Sequence, residues 1–166
     1  LDEASCAAIM CKQTKTTIRP IDIGMAVDTP RVEKKKIAYG TKNFAKEPAM
    51  TRQQAADAIK TGINIVKEMK EQGYKILATG EMGIGNTTTS SAVCAVMLEK
   101  DVEEVTGRGA GLSTEGLNKK ISVIKNAIEK YKPDKNDIVD VISKVGGFDI
   151  AGLTGLFLGG AIYHIP

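Results

Sequence analysis

The residues with the most evident chemical potential lie together in the stretch ATGEMGIGNTTTSSAV, at positions 78–93. This stretch places three glycines around the carboxylate of Glu81, followed by a run of threonine and serine hydroxyls. Glycines let a backbone approach a ligand closely, and the free N–H groups at the start of a helix attract phosphate. The pattern therefore favours an anion-binding loop. The residues expected to contact the anion are Gly83, Gly85, Asn86 and Thr87.

Glu81 separates this interpretation from the alternative, an ordinary glycine turn before a threonine-rich helix. A carboxylate repels phosphate, so its presence in such a loop requires a chemical task. Known phosphate loops do not match, because the stretch contains neither the Gly-Lys-Ser/Thr of a P-loop nor G-x-G-x-x-G. A NAD- or ATP-using α/β enzyme is therefore disfavoured. We predict that Glu81 is the catalytic residue of the loop and that Asn86 caps the helix.

Helix and strand patterns alternate around this stretch. An apolar strand is predicted at 74–79, followed by the loop 80–85 and a helix at 86–98. In a parallel sheet, ligands bind beyond the carboxyl ends of the strands, where such loops lead into helices. The order favours an α/β fold with a doubly wound, mainly parallel sheet and flanking helices. The other predicted elements are a helix at 3–14, a strand at 16–27, a helix with a capping box at Thr51 and Gln54 and a stop at Gly73, a helix at 113–132, an element at 135–146 and a helix at 148–163.

Three further patterns have structural interpretations. The run of Lys34, Lys35 and Lys36 is typical of a solvated face. Asp149 falls in the first turn of the last helix, where a carboxylate interacts favourably with the helix dipole. Glycines inside the same helix lower its propensity and predict close packing against a neighbour. These glycines are Gly152, Gly155, Gly159 and Gly160.

Composition limits the classes of function. The 166 residues suit one domain, 1–166, and 23 Lys and Arg against 20 Asp and Glu give a net charge of only +3. This charge is too mild to imply nucleic acid, and no apolar run approaches the ~18 residues of a membrane span. Three cysteines without C-x-x-C spacing indicate reduced, buried thiols in a cytoplasmic protein. His164 is the single histidine and has no ligand cluster near it in sequence, so we expect no metal. We also expect no cofactor.

The motif GEMGIGNTTTSSAV resembles the signature of the nicotinate-nucleotide:dimethylbenzimidazole phosphoribosyltransferases, enzymes of the lower-ligand branch of cobalamin synthesis. The resemblance continues in the family's order through IDIGMAVDTP, GTKNFAKEPAMT, TGRGAGLSTEGLNKKI and GGFDIAGLTGLFLGGA, and so covers nearly the whole chain. It implies a Rossmann-like doubly wound domain, normally in a homodimer. The implied activity moves phosphoribose from nicotinate mononucleotide to a benzimidazole base, giving an α-ribazole phosphate and nicotinate.

The resemblance also assigns roles to residues that the pattern alone leaves open. GRGAG at 107–111 is compatible with a helix-entry turn, but the resemblance makes it a nucleotide-binding segment through Gly107, Arg108 and Gly109. Lys120, otherwise a surface lysine, would reach the anionic groups of the substrate. Glu81 would stabilise an oxocarbenium-like ribose or assist deprotonation of the incoming base.

Two parts of the family pattern have no match in this sequence. The principal general base of the family is a glutamate close to the C-terminus, and an N-terminal segment shapes much of the benzimidazole pocket. We therefore expect a core truncated at both ends, which binds nucleotide but lacks that base. The alternative is a non-catalytic module that binds nucleotide or phosphate.

Overall fold

The computed structural model describes residues 5–83 and 85–166, so residues 3 and 4 of the predicted first helix and residue 84 of the predicted loop 80–85 lie outside the described residues. The described residues form helices and one small sheet. The elements are α1 (Cys6–Thr14), β1 (Ile21–Asp22), β2 (Glu33–Lys34), α2 (Arg52–Glu71), α3 (Asn86–Leu98), α4 (Val102–Val105), α5 (Thr114–Tyr131), α6 (Ile138–Val145) and α7 (Phe148–Tyr163). Among these helices, none combines the length and the apolar character that crossing a bilayer requires.

The α/β character is present, but the sheet is smaller than the sequence predicts. β1 and β2 pair in parallel, with Ile21 opposite Glu33. The prediction of a strand at 74–79 is wrong for the described residues, because this segment belongs to no sheet there. A strand requires hydrogen-bonding neighbours, whereas an apolar sequence pattern reports only the local character of the segment. Ile76 is 72% exposed, in keeping with an apolar segment that lacks such neighbours here.

Helix boundaries that depend on local contacts agree with the sequence. The capping box at the start of α2 is formed: the Thr51 hydroxyl accepts from the N–H of Gln54, and the Gln54 side chain accepts from the N–H of Thr51. α3 spans the predicted residues 86–98, and α5 begins after its N-cap Ser113. These agreements follow from the short range of capping interactions.

The backbones of α2 and α7 are in direct contact. A Cβ atom added at Gly155 would lie 2.0 Å from the carbonyl oxygen of Ile59, and one added at Gly62 would lie 2.1 Å from that of Gly152. Only glycine fits at these positions, which confirms the predicted close packing. α6 packs against α2, α3 and α5 and buries Val141, Ile142 and Val145 in the common core. The N-termini of α3 and α7, where the candidate site lies, are therefore held by one packed core.

The lysine run is not simply a solvated face, because two of its members pair inward. Lys36 Nζ lies 2.8 Å from a carboxylate oxygen of the buried Asp22. Lys35 Nζ lies 3.1 Å from Glu68 on α2 and 3.3 Å from Glu33 on β2. Sequence spacing could not show the pairs with Asp22 and Glu68, since these two acids belong to other elements. Only Lys34 remains largely exposed.

Asp22 is the centre of the segment that follows β1. Its carboxylate accepts from the N–H of Met25 at 2.9 Å and from the hydroxyl of Thr29 at 2.8 Å, besides the ion pair with Lys36. Burial by itself raises the pKa of this carboxyl, but the hydrogen bonds from Lys36, Met25 and Thr29 outweigh it and lower the pKa to about 2. Asp22 therefore holds the long connection to α2 in place as an anion.

Candidate functional site

The N-terminus of α3 lacks a side-chain cap. Its N-cap is Gly85, which has a φ of +79°, and not Asn86 as the sequence predicted. Asn86 is already the first residue of the helix, so its side chain is free to contact other elements. Uncapped N–H groups and the positive end of the helix dipole remain available to an anion at this end.

The Asn86 amide joins two carboxylates. Its Nδ2 donates to Glu81 in the preceding loop and to Asp149 Oδ2 on α7, the latter at 2.9 Å. Gly83 lies directly beside this amide, since a Cβ added at Gly83 would be 2.7 Å from Asn86 Nδ2. The glycine loop, the start of α3 and the start of α7 therefore meet at one side chain.

Lys120 connects the second glycine loop to the same helix. It is 7% exposed, and its Nζ donates to Thr87 Oγ1 at 2.9 Å and to the carbonyl of Gly107 at 3.0 Å. Both acceptors are uncharged, and within the described part of the chain no carboxylate pairs with this ammonium. Burial accordingly lowers the pKa of Lys120. A buried cation without a counter-ion favours an anionic ligand.

The members of the second loop have different surroundings. Gly109 packs on the first turn of α3, where an added Cβ would lie 2.8 Å from Thr87 Oγ1. Arg108 is instead directed to the start of α5, where it donates to the carbonyl of Leu112 at 2.8 Å and to Thr114 Oγ1 at 3.1 Å. The structure therefore brings together Gly107, Gly109, Lys120 and Thr87, while Arg108 holds its own loop.

Asp149 is the site residue that sequence reasoning missed. The sequence shows it only as an acid in the first turn of α7, whereas its carboxylate reaches Asn86 on α3. A Cβ added at Gly147, the N-cap of α7, would lie 2.3 Å from Asp149 Oδ1. The paired glycines before this helix were the available signal, because they leave room for a side chain to fold back over the helix start.

The remaining features do not add to this site. Within residues 5–83 and 85–166, no group of three His, Cys, Asp or Glu side chains is placed to hold a metal ion. A cleft of about 240 Å³ lies at the other end of α7, beside Leu77, Phe157 and Ile165.

The cysteines are unpaired, but the prediction that they are buried is wrong. Cys6 and Cys94 are exposed and Cys11 is partly exposed, on helix faces that no neighbour covers here.

Comparison with known proteins identifies the class of protein. The family model described as Phosphoribosyltransferase matches residues 1–166, and the chain belongs to this family. It is 51% identical over 160 residues to the nicotinate-nucleotide–dimethylbenzimidazole phosphoribosyltransferase of Ruminiclostridium cellulolyticum, covering 95% of this chain and 46% of that protein. It is 54% identical over 157 residues to the protein of the same name from Acetivibrio thermocellus, covering 93% of this chain and 45% of that protein.

A solved structure has the same fold. The chain superimposes on the crystal structure of CobT from Thermus thermophilus with a TM-score of 0.88 and 31% identity, covering 98% of this chain and 49% of that chain. The family resemblance drawn from the sequence motifs is thus confirmed. The chain spans about half the length of the curated relatives it matches.

Proposed function

We propose that the complete protein containing this chain transfers phosphoribose from nicotinate mononucleotide to a benzimidazole base, releasing nicotinate. The observation that carries this proposal is the buried ammonium of Lys120, held between Thr87 and Gly107 beside the uncapped start of α3. The names of the relatives supply the reaction, and these residues supply its mechanism.

The phosphate of the nucleotide would bind at the start of α3. The ammonium of Lys120, the hydroxyl of Thr87 and the free N–H groups after Gly85 supply donors of a kind that bind phosphate. Gly107 and Gly109 would let the second loop approach the nucleotide closely. Arg108, which is bonded within its own loop, would support the shape of that loop and contact the nucleotide from its exposed side.

Glu81 would act at the ribose or at the acceptor base. Departure of nicotinate leaves positive charge at the ribose, and a nearby carboxylate stabilises such a state. The nicotinate leaves as a neutral pyridine ring and needs no acid, whereas the incoming imidazole must lose its N–H proton. The hydrogen bond from Asn86 holds the Glu81 carboxylate ahead of the first turn of α3, where the nucleotide would lie.

The complete protein would extend the fold of this chain. Residues 1–166 would form its nucleotide-binding core, and further residues would complete a doubly wound, mainly parallel sheet with flanking helices. The likeness to a solved CobT chain about twice as long supports such completion by further residues. We further propose a cytoplasmic homodimer that uses no cofactor and no metal.

The test is calorimetry with nicotinate mononucleotide and a turnover assay with dimethylbenzimidazole, on both the complete protein and the 166-residue chain. We expect both to bind the nucleotide and only the complete protein to turn it over. Binding without turnover by the complete protein would instead favour a non-catalytic nucleotide-binding module. Absence of binding by the complete protein at millimolar nucleotide would refute the proposal.

A further inference from the structure

We propose that Asp149 is a positioning residue, which orients Glu81 through the side-chain amide of Asn86. This inference rests on the proposed function, because it assigns the orientation of the carboxylate that acts on the substrate. Asp149 lies on α7, Asn86 on α3 and Glu81 in the loop between α2 and α3. The three side chains form a chain of hydrogen bonds across three elements.

The chemistry of the amide fixes its orientation. An asparagine NH₂ group has two hydrogens and its carbonyl oxygen has none. Both carboxylates accept from Asn86 Nδ2, so each hydrogen has its own acceptor and the carbonyl oxygen must face away. Removal of the Asp149 carboxylate would leave only the exposed Glu81 to hold the amide, so rotation about its terminal torsion would be less restricted.

We call the three hydrogen-bonded side chains Asp149, Asn86 and Glu81 the relay. The packing of the elements that carry them indicates that Asp149 positions Glu81, and not the reverse. α7 is fixed by direct backbone contact with α2 at Gly155, and the Asp149 carboxylate is seated over Gly147. Glu81, in contrast, is exposed and belongs to a loop outside any helix or strand. Position is therefore set at Asp149 and conveyed to Glu81, which has no comparable support of its own within the described residues.

The positive ends of two helices make this arrangement possible. Two carboxylates that share one neutral amide repel each other unless positive potential surrounds them. Asp149 lies in the first turn of α7 and Glu81 lies ahead of the first turn of α3, and neither helix has a side-chain cap. The dipoles of both helices therefore favour the two anions.

The experiment is steady-state kinetics on the complete protein with Asp149→Ala, Glu81→Gln and the double variant. We expect Asp149→Ala to lower kcat roughly 10-fold or more, the usual effect of losing a hydrogen bond to a charged group, with little change in KM for nicotinate mononucleotide. Because the residue acts through Glu81, the double variant should have the kcat of Glu81→Gln alone. Equal fractional losses in both backgrounds would overturn the proposal.

Two controls separate positioning from stability and from the helix dipole. Asp149→Asn keeps an oxygen that can accept from Asn86, so it should retain most of the activity that Asp149→Ala loses. Glu115→Ala removes an exposed first-turn acid from α5, a different helix from those that carry Asn86 and Asp149, and should leave kcat unchanged. Loss of activity in Asp149→Asn equal to that in Asp149→Ala would count against hydrogen bonding as the cause.

A crystal structure of the complete Asp149→Ala protein tests the relay without using activity. We expect the Asn86 amide to be rotated and the Glu81 carboxylate to be displaced relative to the unsubstituted protein. An unmoved Glu81 would overturn the inference. If the unsubstituted protein does not transfer phosphoribose at all, the proposed function fails, and a displaced Glu81 would still establish the relay itself.

Discussion

The ammonium of Lys120 and the hydroxyl of Thr87 lie 2.9 Å apart and join α5 to the first turn of α3. We predict that Lys120→Met weakens binding of nicotinate mononucleotide by about 10- to 100-fold, the range for losing a hydrogen-bonded charge. The same change should leave thermal stability level or raise it, because an apolar group replaces a buried, uncompensated cation. Calorimetry and thermal unfolding measure both effects.

The neighbouring lysine provides the control for this variant. Lys119 lies on the same helix but is exposed, so Lys119→Met should change neither affinity nor stability appreciably. If both variants lost affinity equally, general charge rather than the Thr87 contact would explain binding.

The pH dependence of binding and of stability should have opposite signs. Burial lowers the pKa of Lys120 from its ordinary 10.5, so the unfolded chain binds more protons than the native one between the lowered value and 10.5. In that window stability contributed by this group rises with pH, while affinity for the nucleotide falls because the cation is lost. Titrations at rising alkaline pH, taken as the difference between unsubstituted protein and Lys120→Met, should show both slopes. A flat difference would contradict the assignment.

Glu81→Gln should separate catalysis from binding. Glutamine keeps an oxygen that accepts from Asn86, so the loop geometry is retained while the charge is removed. We expect kcat of the complete protein to fall on the order of 10²-fold, as for one electrostatic or acid–base contact. Affinity for the nucleotide should stay level or improve, since a repulsion toward phosphate is relieved. Steady-state kinetics with both substrates varied measures the two effects, and an unaltered kcat would end the catalytic assignment.

Asp22→Asn should destabilise the protein without touching the candidate site. It removes the counter-ion of the half-buried Lys36, which keeps only the carbonyls of Met25 and Val27 as acceptors, and the loss of a hydrogen bond between charged groups costs about 2 kcal/mol. In the unsubstituted protein the depressed pKa means that this contribution is present above the ordinary value of 3.8 and is lost as pH falls toward about 2. Urea unfolding at neutral and acidic pH measures the effect. The exposed Asp28 offers the control, and Asp28→Asn should be near neutral.

Gly155→Ala should weaken the contact between α2 and α7. The added methyl group would lie 2.0 Å from the backbone oxygen of Ile59, so one helix must move. Overpacking of this kind costs about 3 kcal/mol or more when backbone has to shift. Gly80→Ala is the matched control, because nothing lies within 4 Å of its added methyl group. Equal unfolding midpoints for the two variants would contradict the predicted overpacking between α2 and α7.

Features that depend on residues close in sequence could be predicted, whereas features that depend on distant residues could not. The cap at Thr51 and the bounds of α3 were predictable because they depend on residues within a few positions. The contact of Asn86 with Asp149 was not, because it joins residues 63 positions apart and only the packing of α7 brings them together. The strand predicted at 74–79 was wrong for the same reason, since a strand is defined by partners that its own sequence does not contain.

The backbone contact between Gly62 and Gly155 has a consequence for folding order. These residues are distant along the chain, so the entropy of closing a long loop must be overcome before the contact can form. The same packing of α7 against α2 brings Asp149 to Asn86. A chain in which α7 has not yet packed can therefore contain a folded α3 while Glu81 lacks the support of Asp149. A nucleotide that binds only the docked form would shift the population toward that form by mass action, so the proposed ligand would also assist folding.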